Sequence, residues 1–388
     1  MAITTSPLRI GAAGVGGFGQ FVLEALEAVP DVKLTAVYDA DPARARSVAD
    51  RYGAVVCDSL EDLVGQSTVD VVYAAAPPAA HGPAVLAALR NGKHVWVEKP
   101  LATSRDEVAA ICRQAASAGL RVGIDYVLRF NPLYRWAAEL GRSGLLGKLR
   151  HMTLENDAAD ERLPAEHWFW KPEVSGTILV EHGVHFFDIA AELAGAEGQM
   201  EYCEAWVRPP YGFTDRVLAV TRFGDVPAVF YHAFDKPDRV ERTAFRLAYD
   251  LGYVTVEGWM PTAVQVEAYV DDEGLSRLEE VLHAGELPMG AGYSAPVQVS
   301  LDVVESYRGA GGAMKGRGVD RKVTHFVRLH ISCPEGKQAI YARTVQAGMA
   351  DFARSIREAG YAAEVTLEQA ARSVGLALDA VDRTILRT

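Results

Sequence analysis

Residues 8–20 have the sequence LRIGAAGVGGFGQ, in which an apolar run is followed at once by a glycine-rich turn. The run from 8 to 13 predicts a β-strand, and the pattern from 17 to 29 predicts a helix. The glycines between them have the spacing G-x-G-x-x-G, which in this context indicates a backbone turn that can approach a pyrophosphate at a helix N-terminus. The positions expected to surround that pyrophosphate are Gly14, Gly16, Gly17, Phe18 and Gly19.

The alternation of short apolar runs with helical patterns continues to about residue 125. Asp41-Pro42 predicts a helix start, because a capping side chain precedes a proline at the first helical position, and Asn91-Gly92 predicts a helix end. Further strands are expected at 33–38, 54–57, 69–76, 94–97 and 121–124, and further helices at 42–52, 79–91 and 104–118. Such alternation predicts an α/β fold with a parallel, doubly wound sheet, a Rossmann domain over residues 1–128.

The pattern changes after about residue 148, where strands dominate. In the run 262–270, Val264 and Val266 share one face and Gln265 and Glu267 the other, which indicates an antiparallel or mixed sheet with two different faces. The other strands are expected at 200–207, 216–223, 228–234, 243–249, 253–257 and 322–331, and helices at 176–193, 339–359 and 367–386. We therefore predict a second, α/β domain over residues 129–388. The glycine-rich segment 309–318 is expected to be a hairpin or surface loop, with a lid as the alternative.

Composition narrows the class of protein. The chain has 388 residues, 49% of them hydrophobic and 23% charged, with a net charge of −12. A negative balance argues against nucleic acid or an anionic membrane as a partner. Residues 1–7 lack the basic-then-apolar pattern of a signal peptide, no stretch is long enough to span a membrane, and the four cysteines include no C-x-x-C pair. These features predict a reduced, cytoplasmic protein without a structural metal.

Two further segments are expected at the cofactor end of the sheet. Asp39 follows the second strand, where a carboxylate can bind ribose hydroxyls and repel the 2′-phosphate of NADP, so NAD is favoured; Arg44 close behind moderates that preference. The alternative is that Asp39 only opens a turn with Asp41. At the end of the third long strand, Ala76, Pro77, Pro78 and His81 are expected to line the nicotinamide side, although His81 could instead cap a helix.

Three longer motifs carry a family resemblance: GKHVWVEKP at 92–100, DYVLRFNP at 125–132 and EHGVHFFD at 181–188. Together with the glycine turn, they resemble the glucose-fructose oxidoreductase, inositol dehydrogenase and MocA family. That resemblance implies a C-terminal domain with a large, open, mainly antiparallel sheet, and last helices (about 339–388) that pack back towards the first domain. It also implies an active-site Lys99 beside the cofactor-binding Glu98, and a catalytic His185, with Glu181 where the family prefers Asp.

The chemistry of these side chains agrees with the resemblance. Oxidation of a carbinol needs a group that takes the hydroxyl proton, and His185 has a suitable intrinsic pKa near neutral pH. Lys99 can stabilise the negative charge that develops on the oxygen, and Glu181, one helical turn before His185, could orient the imidazole. We expect hydride transfer between NAD and a secondary hydroxyl or ketone of a sugar, sugar derivative or cyclitol. The alternative for His185 is a buried structural histidine, and Asp188 either supports it or caps a turn.

A substrate wall is expected around these groups. Its candidate members are Tyr126, Arg129, Asn131, Trp168, Trp170 and His182. Aromatic faces can stack on sugar rings, but packing at a domain junction or a subunit contact explains the tryptophans equally well, and Arg129 and Asn131 could simply hold the linker. His182 and His185 have the wrong spacing for a zinc motif, so no metal is expected.

Two rival functions fit the same motifs. Relatives on this fold include NAD-recycling glycosidases or lyases and non-catalytic NAD-binding sensors. The presence of both Lys99 and His185 favours an enzyme. A homodimer or homotetramer is also expected, through an apolar face of the second sheet.

Overall fold

A computed structural model describes residues 6–306, 312–316 and 319–387 of the chain. The expectation for the N-terminal residues therefore lies largely outside the described residues, as does part of the glycine-rich segment 309–318. Within that segment, residues 312–316 pair with residues 319–323 as antiparallel strands. Among the described residues, no helix combines the length and the apolar character needed to cross a membrane.

The N-terminal part alternates strands and helices as the sequence predicts. Its strands are β1 (Leu8–Ala13), β2 (Val32–Tyr38), β3 (Val55–Val56), β4 (Val71–Ala74), β5 (His94–Val97) and β6 (Val122–Ile124). Its helices are α1 (Gly17–Leu26), α2 (Pro42–Tyr52), α3 (Leu60–Gly65), α4 (His81–Arg90) and α5 (Arg105–Ala118). The strands form one parallel sheet in the order β3-β2-β1-β4-β5-β6, so the predicted Rossmann fold is confirmed.

Local signals account for the ends of these helices. The Asp41 side chain accepts from the backbone N–H of Ala43 at 3.0 Å, so it caps α2 as predicted. Gly53 then ends the helix in the left-handed conformation, at φ 64°. Because a cap and a glycine stop bracket the helix, its observed bounds equal the predicted ones.

The remaining elements begin with α6 (Pro132–Ser143) and end with a short strand. The helices are α7 (Pro172–Ser175), α8 (Val184–Ala194), α9 (Asp272–Glu280), α10 (Gly336–Arg357) and α11 (Leu367–Arg383). The strands are β7 (Leu149–Ala159), β8 (Gly198–Val207), β9 (Thr214–Phe223), β10 (Val226–Lys236), β11 (Arg242–Tyr249), β12 (Gly252–Glu257), β13 (Ala263–Val270), β14 (Glu286–Gly290), β15 (Tyr293–Pro296), β16 (Gln298–Ser306), β17 (Gly312–Gly316), β18 (Val319–Val323), β19 (His325–Ser332) and β20 (Thr384–Arg387).

Ten of these strands form one large mixed sheet. Its order is β16-β19-β13-β12-β11-β7-β10-β9-β8-β20, and the pairs β7–β10 and β8–β20 are parallel while the others are antiparallel. Along β13 the residues Val264, Val266, Ala268 and Val270 are buried, and those between them are more exposed. The predicted mainly antiparallel, two-faced sheet is thus confirmed.

Two predicted helices are corrected by the structure. The helix expected over 176–193 is a π-helical turn, Leu179–Gly183, followed by α8. The helix expected to reach Leu386 ends at Arg383, and β20 follows it as an edge strand on β8. The apolar residues Ile385 and Leu386 fit the helical spacing of the sequence, which is why the helix was predicted to include them. They form a strand instead, because pairing with β8, a tertiary contact, decides their conformation.

Contacts divide the chain into two compact units. The first comprises the residues up to Arg129 together with 165–188 and 342–382, and the second comprises 130–164, 189–341 and the residues from Arg383. The first unit contains the parallel sheet and all residues of the turn that leads into α8. The second contains the ten-stranded sheet.

Candidate active site

The glycine turn approaches the neighbouring loop closely at one position and is open at two others. Gly14 has φ +90°, and a Cβ there would lie 2.7 Å from the backbone nitrogen of Ala76. A Cβ on Gly16 or Gly17 would meet nothing within 4 Å, at the point where α1 begins. The first turn of a helix has backbone N–H groups without helical partners, so this opening suits an anionic group such as a pyrophosphate.

Asp39 ties this turn to the end of β2. Its Oδ2 accepts from the backbone N–H of Val15 at 2.8 Å, and its Oδ1 accepts from the N–H of Asp41 at 2.9 Å and from Arg44 Nη1 at 3.0 Å. Asp39 therefore forms the turn with Asp41 and also lies beside the glycine loop, so the two alternatives for this residue are compatible. The sequence did not predict the bond to Val15. Together the glycine opening and this carboxylate fit an NAD-binding site.

His81 links the loop after β4 to the turn that carries Lys99. Its Nε2 lies 2.6 Å from the carbonyl oxygen of Ala76, and its Nδ1 lies 2.7 Å from that of Pro100. The ring is 1% exposed, and this burial lowers the pKa of His81. Both partners are acceptors, so a neutral ring donates to one of them at a time.

Lys99 and Glu181 form the central ion pair of the candidate site, although 82 positions separate them. Lys99 Nζ donates to Glu181 Oε1 at 2.6 Å and to the Glu181 backbone oxygen at 2.7 Å. Lys99 itself precedes a cis peptide bond to Pro100. Each side chain keeps 14% of its surface exposed, so the pair is sheltered but still accessible.

The backbone before His185 is irregular where Glu181 lies. Thr177 has φ 102°, in the region that β-branched residues rarely adopt, and the π-helical turn Leu179–Gly183 follows. Such strain and π-turns concentrate at functional sites. The expectation that Glu181 and His185 stand one regular turn apart is therefore modified, because the turn between them is widened.

The two histidines of this segment are uncharged at neutral pH. His185 is 2% exposed, and burial lowers its pKa well below the ordinary value, with Lys99 and His182 lowering it further. Burial and then Lys99 lower the pKa of His182 to about 3. The Tyr126 ring stands edge-on to the His185 ring, with centroids 6.2 Å apart. An uncharged imidazole has a ring nitrogen with a lone pair, which a proton acceptor needs.

Asp188, three residues after His185 on α8, interacts with other buried polar side chains. Asp188 is buried, accepts from Ser373 Oγ at 3.3 Å, and lies 3.8 Å from Arg129 Nη1. Arg129 Nη2 donates to the backbone oxygen of Glu364 at 3.2 Å. Arg129 and Tyr126 are 5% and 1% exposed, so these two of the residues expected in the substrate wall are packed inside the first unit.

Asn131 and the tryptophans differ in how they are used. Asn131 belongs to the second unit, where it caps α6 by accepting from Leu133 N at 3.0 Å and donates to the backbone oxygen of Pro261 at 3.0 Å. It is fully buried, so we assign it this structural task in place of the expected substrate contact. Trp168 and Trp170 lie on one short helical turn of the first unit, the first half-buried and the second buried.

One buried acid was not predicted from the sequence. Asp125 directly follows β6, and Glu98 directly follows the neighbouring β5. The sequence position of the two residues could have predicted that they lie close together, because both come immediately after adjacent parallel strands. Within the described part of the chain, no group of three or more His, Cys, Asp or Glu side chains could hold a metal ion.

Comparison with known proteins defines the class. A family model described as "Oxidoreductase family, NAD-binding Rossmann fold" matches residues 8–126, and the GFO/IDH/MocA C-terminal domain matches residues 134–252. The chain is thus an oxidoreductase-family protein with an NAD-binding Rossmann domain. It belongs to the GFO/IDH/MocA family, as its motifs predicted.

Curated relatives include two sugar or cyclitol enzymes. A dTDP-3,4-didehydro-2,6-dideoxy-alpha-D-glucose 3-reductase from Streptomyces violaceoruber is 30% identical over 198 residues, which is 50% of this chain and 56% of the relative. The chain thus aligns with little more than half of that relative's length. An inositol 2-dehydrogenase from Rubrobacter xylanophilus is 27% identical over 295 residues, 67% of this chain and 84% of the relative.

A solved structure shares the fold over nearly its whole length. A 3-ketoreductase from Actinomadura kijaniata, in complex with NADP and TDP-benzene, has a TM-score of 0.72 and 18% identity, and the match covers 98% of this chain and 100% of that chain.

Proposed function

We propose that this protein transfers a hydride between NAD and a secondary hydroxyl or ketone of a sugar, sugar derivative or cyclitol. The observation that carries the proposal is the cluster of Lys99, Glu181 and His185. Lys99 and Glu181 form a sheltered ion pair, and the buried imidazole of His185 follows four residues after Glu181.

In the oxidation direction, each side chain has a distinct task. His185 Nδ1 or Nε2 takes the proton of the substrate hydroxyl, and the same proton returns in the reverse direction. Lys99 donates a hydrogen bond to the substrate oxygen and stabilises the negative charge that grows there. Glu181 holds the Lys99 ammonium in position through the 2.6 Å bond. Behind them, Asp188 and Arg129 keep α8 and therefore His185 in place.

The first unit also has the groups that would hold NAD. Gly16 and Gly17 would take the pyrophosphate, Asp39 the ribose hydroxyls, and the loop around Ala76 the nicotinamide side. NAD, when bound, supplies the acceptor for the substrate's hydride.

The substrate class rests on the named relatives and on the chemistry of the cluster. Inositol and nucleotide-sugar enzymes are among the relatives, and both groups act on hydroxyl or ketone carbons of polar rings. The half-buried Trp168 could supply a stacking face for such a ring.

The first experiment is a spectrophotometric screen. Purified protein and NAD are mixed with a panel of sugars, inositols and sugar acids, and formation of reduced nicotinamide is recorded. Turnover with one compound supports the proposal and identifies the substrate. Silence across the panel, with NAD binding verified by fluorescence, would contradict it in favour of an NAD-recycling lyase or a sensor.

Variants then test the assigned roles. Lys99→Met and His185→Asn should each lower kcat by about 100-fold or more while NAD still binds. Lys93→Met is the matched control, because Lys93 Nζ also donates to backbone carbonyls, those of Gln66 and Val69, but lies outside the cluster. Wild-type turnover in Lys99→Met or His185→Asn would remove that residue from the mechanism.

We also propose a cytoplasmic homodimer or homotetramer. Light scattering of the purified full chain would test the assembly, and a monomer at micromolar concentration would contradict it.

A further inference from the structure

Two buried carboxyl groups lie side by side next to the lysine of the proposed site. Val97 pairs with Ile124 across β5 and β6, and the next residue of each strand is Glu98 and Asp125. The backbone N–H of Asp125 donates to the Val97 oxygen at 3.0 Å, which holds the two chain segments together beyond the strands. Glu98 is 5% exposed and Asp125 1% exposed.

Few groups are available to compensate two negative charges there. Glu98 Oε1 accepts from the hydroxyl of Tyr73, on β4, at 2.8 Å. Within the described residues, no hydrogen-bond donor reaches either carboxylate oxygen of Asp125 in good geometry. The acid that influences Asp125 is the neighbouring Glu98. The nearby cation is Lys99, which is already paired with Glu181.

These surroundings favour a neutral form for one of the two acids. Burial raises the pKa of Glu98, and the neighbouring Asp125 raises it further. Burial also raises the pKa of Asp125, against the opposing effects of Glu98 and Lys99. The groups acting on the pair are thus Tyr73 and Lys99. Two buried carboxyl groups that follow adjacent, paired strands do not both ionise, since like charges in a low dielectric repel strongly.

We propose that Glu98 and Asp125 share a single proton, and that this acid pair is a positioning element that keeps one negative charge beside Lys99. The consequence concerns the moment when Lys99, still held by Glu181, donates a further hydrogen bond to a substrate oxygen. The charge on the acid pair stays, so it continues to attract the Lys99 ammonium while the lysine binds the substrate. This role rests on the proposed function of Lys99, whereas the shared proton does not.

Infrared spectroscopy of the full-length protein tests the shared proton without any substrate. At neutral pH the wild type should show a carbonyl band of a protonated, buried carboxylic acid. The band should disappear in Asp125→Asn, because that change removes the neighbouring carboxylate that raises the pKa of Glu98, while Tyr73 and Lys99, which lower it, remain. Asp70→Asn is the matched control: Asp70 is paired with Arg9, which lowers its pKa, so the band should persist.

Three results would overturn the proposal. One is the absence of the band in the wild type, and another is its persistence in Asp125→Asn, which would mean that each acid holds its own proton. Labelling the aspartate or glutamate carboxyl carbons isotopically in the wild type assigns the band even where a variant does not fold.

The third result that would overturn the proposal is a kinetic one, and it tests the positioning role. In Asp125→Asn the charge is retained on Glu98, whereas in the double variant Glu98→Gln/Asp125→Asn it is absent. We expect kcat to be lower in the double variant than in Asp125→Asn, with KM for the substrate unchanged between them. Equal kcat values in the two variants would refute the positioning role, and an enzyme silent with every substrate would refute the proposed function while leaving the infrared result intact.

Discussion

Shortening Glu181 to aspartate, the residue that the family prefers at this position, perturbs the ion pair of the candidate site by a known distance. In the wild type Lys99 Nζ lies 2.6 Å from Oε1 and 2.7 Å from the backbone oxygen of Glu181. Loss of one methylene draws the carboxylate back by about 1.5 Å, the length of one carbon–carbon bond. The separation becomes roughly 4 Å, which is too long for a hydrogen bond but keeps part of the charge attraction.

The expected free energies follow from that geometry. A hydrogen bond to a charged group contributes about 1.5–3 kcal/mol, and the pair is only slightly exposed. We expect Glu181→Asp to lower the free energy of unfolding by about 1 kcal/mol, and Glu181→Ala by about 2 kcal/mol. The bond from Lys99 to the backbone oxygen survives in both variants, so neither should release the lysine completely.

Urea unfolding and steady-state kinetics measure the two consequences. Glu181→Asp should lower kcat/KM by about tenfold, which corresponds to about 1.4 kcal/mol of lost positioning. Glu181→Gln is the control that keeps the chain length and an acceptor oxygen while removing the charge. If Glu181→Ala were as stable and as active as the wild type, the ion pair would have no part in the site and the reasoning would fail.

Two other predictions concern the cofactor and the pH. Asp39→Ala should weaken NAD binding by about tenfold or more, because it removes the ribose acceptor and leaves Val15 N–H without its partner. Asp39→Asn, which keeps an acceptor oxygen, should weaken NAD binding less. Isothermal titration of each variant with NAD and with NADP measures these affinities. A preference for NAD over NADP that is unchanged in Asp39→Ala would exclude the ribose role. His182 has a pKa of about 3 in the folded protein, against 6.5 for an ordinary histidine, so only the unfolded chain takes up its proton between those pH values. Stability should therefore fall as pH drops below about 6.5, with His182 contributing at most about 2 kcal/mol of the loss at about pH 5. Urea unfolding of the wild type and of His182→Asn, at about pH 6.5 and at about pH 5, measures this loss of unfolding free energy. The loss should be smaller in His182→Asn than in the wild type, and an equal loss would contradict the pKa assigned to His182.

Local signals allowed most of the Rossmann domain to be predicted. β1 and β5 have the predicted bounds, since β1 is a short, mainly apolar run between Pro7 and Gly14, and β5 is one between Lys93 and Glu98. The strand β7 was missed, although it pairs with both β10 and β11 in the ten-stranded sheet. Its buried face contains the polar Asn156 beside Met152 and Leu154, so the alternation that marks a half-buried strand is weakened.

The residues of the candidate site could be predicted from the sequence, but most of the contacts between them could not. Gly14, Lys99 and His185 stand in motifs whose residues are close in the chain, and the amino-acid order is enough to single them out. The pairing of Lys99 with Glu181, of Glu98 with Asp125, and of Asp188 with Arg129 joins segments that are far apart in the chain. Burial sets the protonation of His185 and of the acid pair, and burial is a property of the packed chain. Residue order therefore specifies which chemical groups are present, whereas folding specifies which of them share a proton or a charge, because desolvation and distance exist only after packing.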